Sequence, residues 1–214
     1  MPAEIQATRP RTQLERSTLS DARMTEAAVA LICERGAEAT TLKDVGVRAG
    51  YSRGLAGYRF GTKSGLWAFL FRTIGEEWLA ELELAVAGTA GLDTIHAALD
   101  AHCRFLLDSS DRIRAFYILW FDSVGPDAEL RDVIAGVHQR RQRDVEKWIR
   151  SGLQNGSIRP DADVRVIAEQ FSAAVVGIVY QWLVSPMAHA EVRRLHAGLK
   201  AQMTLSLSPE TRNE

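Results

Sequence analysis

The sequence predicts an all-α protein of about nine helices, with a three-helix N-terminal head and a longer helical body behind it. Three observations carry that expectation. Apolar residues recur at helical spacing along most of the 214-residue chain. No strand-length run alternates with period two between turn signals, apart from stretches better read as helix. Gly, Pro and Ser/Thr fall where helices would stop and start.

Taken in order, Met24, Ala27, Ala28, Leu31 and Ile32 form one helical stripe, and Gly36 stops it. Leu42, Val45 and Ala49 mark a short second helix, where Thr41 and Asp44 resemble a capping box with Asp in place of Glu. Gly50 ends it, and Ser52 is the expected N-cap of a third short helix reaching about Arg59. Thr62 should cap a long fourth helix carrying Trp67, Leu70, Phe71, Ile74, Trp78 and Leu82. Further helices are expected over 92–106, 113–121, 130–153, 161–184 and 189–205. The expected organisation is an arm at 1–19, a head at 20–63, a body at 64–206 and a tail at 207–214.

Composition excludes several classes. With 46% apolar and 25% charged residues, the chain reads as an ordinary globular protein. Its first residues lack the apolar core of a secretory signal. The longest apolar stretch, 171–184, falls short of the roughly 20 residues that span a bilayer. It therefore reads as a buried helix, and no membrane partner is expected. Cys33 and Cys103 are too few for a disulfide framework and read as reduced core thiols, which points to the cytoplasm. The five histidines show no ligand spacing, so neither a metal nor a cofactor is expected. Gly50-Tyr51-Ser52-Arg53-Gly54 matches G-x-S-x-G, yet that motif needs a strand-to-helix turn. Here a helix precedes it, so no enzyme is expected.

The formal net charge is −1, but its distribution is uneven. Residues 1–63 hold 10 Lys/Arg against 7 Asp/Glu, and 41–63 hold five basic residues against Asp44 alone. Cations concentrated on two short helices joined by a tight turn suit an approach to phosphate. A short exposed helix can enter the major groove while its partner braces it across the backbone.

The segments Glu34-Arg35-Gly36, Ala39 to Val45, Arg48 to Gly54 and Phe60 to Leu66 together resemble the N-terminal head of TetR-type regulators. The resemblance covers about 45 residues; the body fits that family in length and helical content only. It implies a helix-turn-helix transcriptional regulator, expected to be a repressor released from a near-palindromic operator by a small molecule. The alternative is an all-helical small-molecule-binding or scaffolding protein whose head does not bind DNA specifically. One departure stands out: the family's tyrosine three residues before the Phe-x-x-Lys segment is here Gly57, with Tyr58 adjacent.

By resemblance and exposure, Arg53, Tyr58 and Arg59 are candidates for groove contact, with Leu55 for a thymine methyl and Gly54 beside them. Thr41, Lys43, Ser52 and Lys63 are candidate phosphate contacts. Arg9 and Arg11 read either as a minor-groove arm or as a plain tail. Arg48 is expected to pair with Asp44, four residues back.

In the body, Arg141 is a cation on an otherwise apolar stripe, and His102 and Tyr117 lie on stripes of their own. With Trp67, Phe71, Phe116, Trp120 and Tyr180 they are the candidate ligand contacts, each equally readable as core. The 161–184 helix is apolar around most of its circumference, so it is either central or packed against a second subunit. The resemblance implies a homodimer through the last two helices, with Phe171, Val175, Ile178, Val179, Trp182, Leu195 and Leu199 as candidate interface residues.

Overall fold

A computed structural model describes residues 12–126, 128–185 and 189–209. Among the described residues there are nine helices and no strand. They are α1 (Gln13–Arg35), α2 (Leu42–Arg48), α3 (Leu55–Phe60), α4 (Lys63–Val86), α5 (Leu92–Asp108), α6 (Ser110–Asp122), α7 (Ala128–Asn155), α8 (Val164–Val184) and α9 (His189–Leu207). The chain divides into two compact units between Leu66 and Trp67, three residues beyond the expected boundary.

Residues 13–19 of the expected arm belong to α1. Thr12 caps α1 through Glu15 N–H at 3.2 Å, and the Glu15 carboxylate accepts from Thr12 N–H at 2.7 Å. This reciprocal capping box satisfies two otherwise orphan donors and starts α1 seven residues before position 20. Arg9 and Arg11 lie outside the described residues, as do 210–214 of the expected tail.

In the first unit, Met24, Ala28, Ile32, Val45, Ala56 and Leu66 are buried and hold α1, α2 and α3 together. Gly46 is as constrained as any apolar residue there: a Cβ on it would meet the Ser52 carbonyl oxygen at 2.8 Å. Its own carbonyl accepts from Tyr51 N–H at 2.9 Å. A Cβ on Gly65 would run into the Phe60 carbonyl. Thr62 caps α4 as expected, accepting from Gly65 N–H at 2.9 Å.

The second unit packs α7 on α8 and α5 on α9 around Ile95, Leu99, Val145, Ile149, Ile158, Phe171, Val175, Ile178 and Met203. α8 is the described helix long and apolar enough, by length and composition, to cross a membrane, yet eight of its residues are buried in this unit. It starts at Val164, three residues later than expected, because Asp163 accepts from the Arg165 and Val166 amides. Cys33 and Cys103 are not joined in a disulfide, and both are half-buried rather than core.

α5 and α7 touch backbone to backbone. A Cβ on Gly91 would stand 2.6 Å from Gly152 Cα, and Gly91 has φ +59, a conformation L side chains rarely adopt. Two glycines let the start of one helix sit on the end of the other.

Candidate nucleic-acid interface and ligand cavity

α2, the following turn and α3 carry the predicted contacts. Lys43 and Arg53 are exposed and make no ion pair among the described residues, and Tyr58 is 90% exposed. Thr41 is the N-cap of α2, accepting from Asp44 N–H at 3.2 Å. Its hydroxyl also donates to the Asp44 carboxylate at 2.7 Å, so it is committed locally. Ser52 does not cap α3. The N-cap is Gly54, with no side-chain capping bond, and Ser52 instead offers its carbonyl to Leu55 N–H at 3.2 Å. Leu55 is half-buried.

Two predicted cations are held by the protein itself. Arg59 donates from Nε and Nη2 to both carboxylate oxygens of Asp21, at 2.8 and 2.7 Å. That fork raises the guanidinium pKa further, chiefly through the hydrogen bond and then the charge of Asp21. Lys63 donates to the Glu38 carbonyl at 2.6 Å. The expected Arg48–Asp44 pair does not form. Asp44 takes the Thr41 hydroxyl and Arg35 at 2.7 Å, which hold its carboxyl below the ordinary range, while Arg48 pairs with Glu34 at 2.6 Å. Both pairs bridge α1 to α2, a tertiary choice that outweighs helix spacing.

A cavity of about 270 Å³ lies within the second unit, walled by α4, α5, α6, α7 and α8. Of the candidate ligand contacts, Phe71, His102, Phe116, Tyr117 and Arg141 line it. Trp67, Trp120 and Tyr180 do not. Trp67 is buried in the core. Trp120 packs on Phe71 and Phe116 with the Arg141 guanidinium 5.2 Å from its ring, and Tyr180 stands half-exposed against Phe121. Trp78, Phe105, Trp148 and Asp144 also face this space. Trp78, Phe105 and Trp148 are aromatics that read as core from sequence, and only tertiary packing leaves room beside them.

The polar groups of the cavity are tied to one another. Arg141 Nη2 donates to the Tyr117 hydroxyl at 3.2 Å, while Nη1 is buried without an acceptor among the described residues. His102 Nδ1 and His196 Nε2 lie 2.9 Å apart, and His196 Nδ1 lies 2.8 Å from the Val192 carbonyl. Burial pushes both imidazoles below their usual range, His102 furthest, helped by the nearby charges of His196 and Arg141. Burial likewise raises the Asp144 carboxyl against the pull of Arg140, Lys147 and Arg143.

The expected dimer residues pack within the chain itself. Phe171, Val175, Ile178, Val179, Trp182 and Leu199 are buried, Leu195 is half-buried, and Arg114 lies 5.0 Å from the Trp182 ring. The other face of α8 carries Val166, Ala173, Tyr180 and Val184 outward, with Leu205 outward on α9.

A compact helix-turn-helix head with a braced short helix, followed by a helical body that encloses an apolar cavity, is the architecture of a DNA-binding transcriptional regulator. The family of bacterial regulatory proteins of the tetR type matches residues 24–68, and the BetI-type transcriptional repressor C-terminal family matches 95–204. The chain belongs to the TetR family. It is 32% identical over 160 residues to the HTH-type transcriptional regulator CymR of Pseudomonas putida, covering 72% of this chain and 75% of the relative. It shares its fold with a TetR transcriptional regulator from Chloroflexus aurantiacus J-10-FL, at TM-score 0.77 and 20% identity, covering 90% of this chain and 98% of that one. A transcriptional regulator from Saccharomonospora viridis in complex with choline superposes at TM-score 0.75 and 19% identity, over 89% and 98% of the two chains.

Proposed function

We propose that the chain is a cytoplasmic homodimeric repressor that leaves a near-palindromic operator when a small molecule fills the body cavity. The observation that carries this reading is Lys43, Arg53 and Tyr58 standing exposed on α2, the turn and α3. Arg53 and Tyr58 read bases, with Gly54 and Leu55 allowing close approach; Lys43 and the Thr41 and Ser52 backbone ends grip phosphate. Arg59 braces α3 on α1 through Asp21 rather than entering the groove. Two heads of one dimer reach successive major grooves about 34–36 Å apart. The seam lies on the outward face of α8 and α9, through Val166, Ala173, Tyr180, Val184 and Leu205.

The coupling runs through α4. It is capped in the head by Thr62, and it brings Phe71, Ile74, Trp78 and Leu82 to the cavity. A ligand that favours one position of α4 changes head spacing, and only its differential affinity for the two states does the work. The test is titration of the dimer against DNA upstream of its own gene at several salt concentrations. Specific binding in the nanomolar range, with affinity falling steeply as salt rises, is expected. Weak binding indifferent to sequence would leave the head without its function.

A further inference from the structure

The hydrogen-bonding role of each polar group around the cavity follows from its partners. The Val192 carbonyl only accepts, so His196 Nδ1 carries the proton of that 2.8 Å contact. A neutral His196 then presents Nε2 as an acceptor, and the proton of the 2.9 Å contact sits on His102 Nδ1. His102 Nε2 is left as a lone pair that makes no hydrogen bond among the described residues, on a ring that lines the cavity. Arg141 is the converse case. One of its nitrogens is spent on Tyr117 and another has no acceptor, and no carboxylate pairs with it among the described residues. Asp144, the half-buried acid of this wall, already feels Arg140, Arg143 and Lys147. Arg72, Glu76 and Arg140 also border the space but are exposed to solvent, so the charge left without a carboxylate in the interior is positive and sits on Arg141.

Shape narrows the choice further. Phe71, Trp78, Phe105, Phe116, Tyr117 and Trp148 give the walls flat π faces. The volume of about 270 Å³ holds roughly nine waters at about 30 Å³ each, the space of one or two fused rings with substituents. We propose that the cavity selects a one- or two-ring aromatic carboxylate that also bears a hydroxyl or amine, the acid held by Arg141 and the donor by His102 Nε2. This rests on the ligand-responsive reading above and names the ligand's class. His196 is a positioning residue: it touches no ligand and sets which nitrogen of His102 remains open.

The experiment is calorimetric titration of the intact full-length protein with 6-hydroxy-2-naphthoate, 2-naphthoate, 6-hydroxy-2-naphthamide and benzyltrimethylammonium, with operator release followed in parallel. The hydroxy acid should bind about tenfold or more tighter than either singly altered probe, and the ammonium not at all. Arg141→Gln should abolish the preference for carboxylate over amide. His196→Leu should abolish the preference for the hydroxyl while keeping that for the carboxylate, and His196→Gln, whose amide oxygen can still accept from His102, should restore it. The four probes on the unaltered protein decide the matter even if a variant fails to fold. Equal affinity for the hydroxylated and plain acids, or preference for the amide or the ammonium, overturns the proposal while leaving a ligand-responsive cavity. No binding by any probe, with operator affinity unmoved, overturns the proposed ligand class, whereas failure of specific operator binding itself overturns the reading it rests on.

Discussion

Two identical substitutions in the head should act with opposite sign. Gly57 lies within α3, and a Cβ there meets nothing within 4 Å, so Gly57→Ala should stabilise the helix by about 1 kcal/mol through propensity alone. Gly46→Ala makes the same propensity gain in α2, but its Cβ lands 2.8 Å from the Ser52 carbonyl oxygen. That atom is backbone, so the turn presenting Arg53 has to shift by a few tenths of an ångström. Overpacking of this kind costs about 1–3 kcal/mol. The net is near zero to roughly 2 kcal/mol unfavourable, and the two variants should differ by about 1–3 kcal/mol, or roughly 5- to 150-fold. Hydrogen exchange of the α2 and α3 amides in the full chain reads this local stability directly. Equal protection in both variants, or lower protection in Gly57→Ala, would refute the steric reading of Gly46.

Arg53→Ala should weaken operator binding by about 1–3 kcal/mol and relax base preference, measured by gel shift against single-base operator variants. Lys43→Ala should weaken all sequences alike and lower the salt slope by about one. Tyr180→Glu should yield monomers in sedimentation without loss of helix signal, because that side chain is half-exposed on the outward face of α8; an intact dimer would rule that face out. The body should lose stability on acidification. His102 and His196 have folded pKa values below the unfolded value near 6.5, so the unfolded chain binds more protons there. Stability present above pH about 6.5 is lost below it, by up to about 1.4 kcal/mol per pH unit per imidazole, and His196→Gln should flatten the decline in urea unfolding.

Helix order was legible because each helix repeats apolar residues at its own period, and the breaks fall at Gly36, Gly50, Gly88 and Gly125. The motif residues of the head were equally legible, because they are local. What the chain hides is tertiary choice. Asp21 and Arg59 are 38 residues apart, so nothing in the spacing reveals that they pair. Asp44 has two basic neighbours within reach, and the fold gives it Arg35. α8 is apolar on several sides, and periodicity alone does not say which stripe faces inward; Phe171 and Trp182 do, Tyr180 does not. Gly46 left a faint trace, a glycine inside a short helix where propensity disfavours it, which usually marks a close approach.

The Gly91–Gly152 crossing makes a pivot between two walls of the cavity, α5 and α7. With no side chain between the backbones, α5 and α7 are already as close as they can come at that point, so a rotation about it is the adjustment that keeps them packed. His102 and Arg141 each lie about eleven residues from the pivot, roughly 16 Å along their helices. An opening of about 5° there moves either group by on the order of 1.5 Å, enough to make or break a hydrogen bond. A small turn at two glycines is thus magnified at the far ends of both walls.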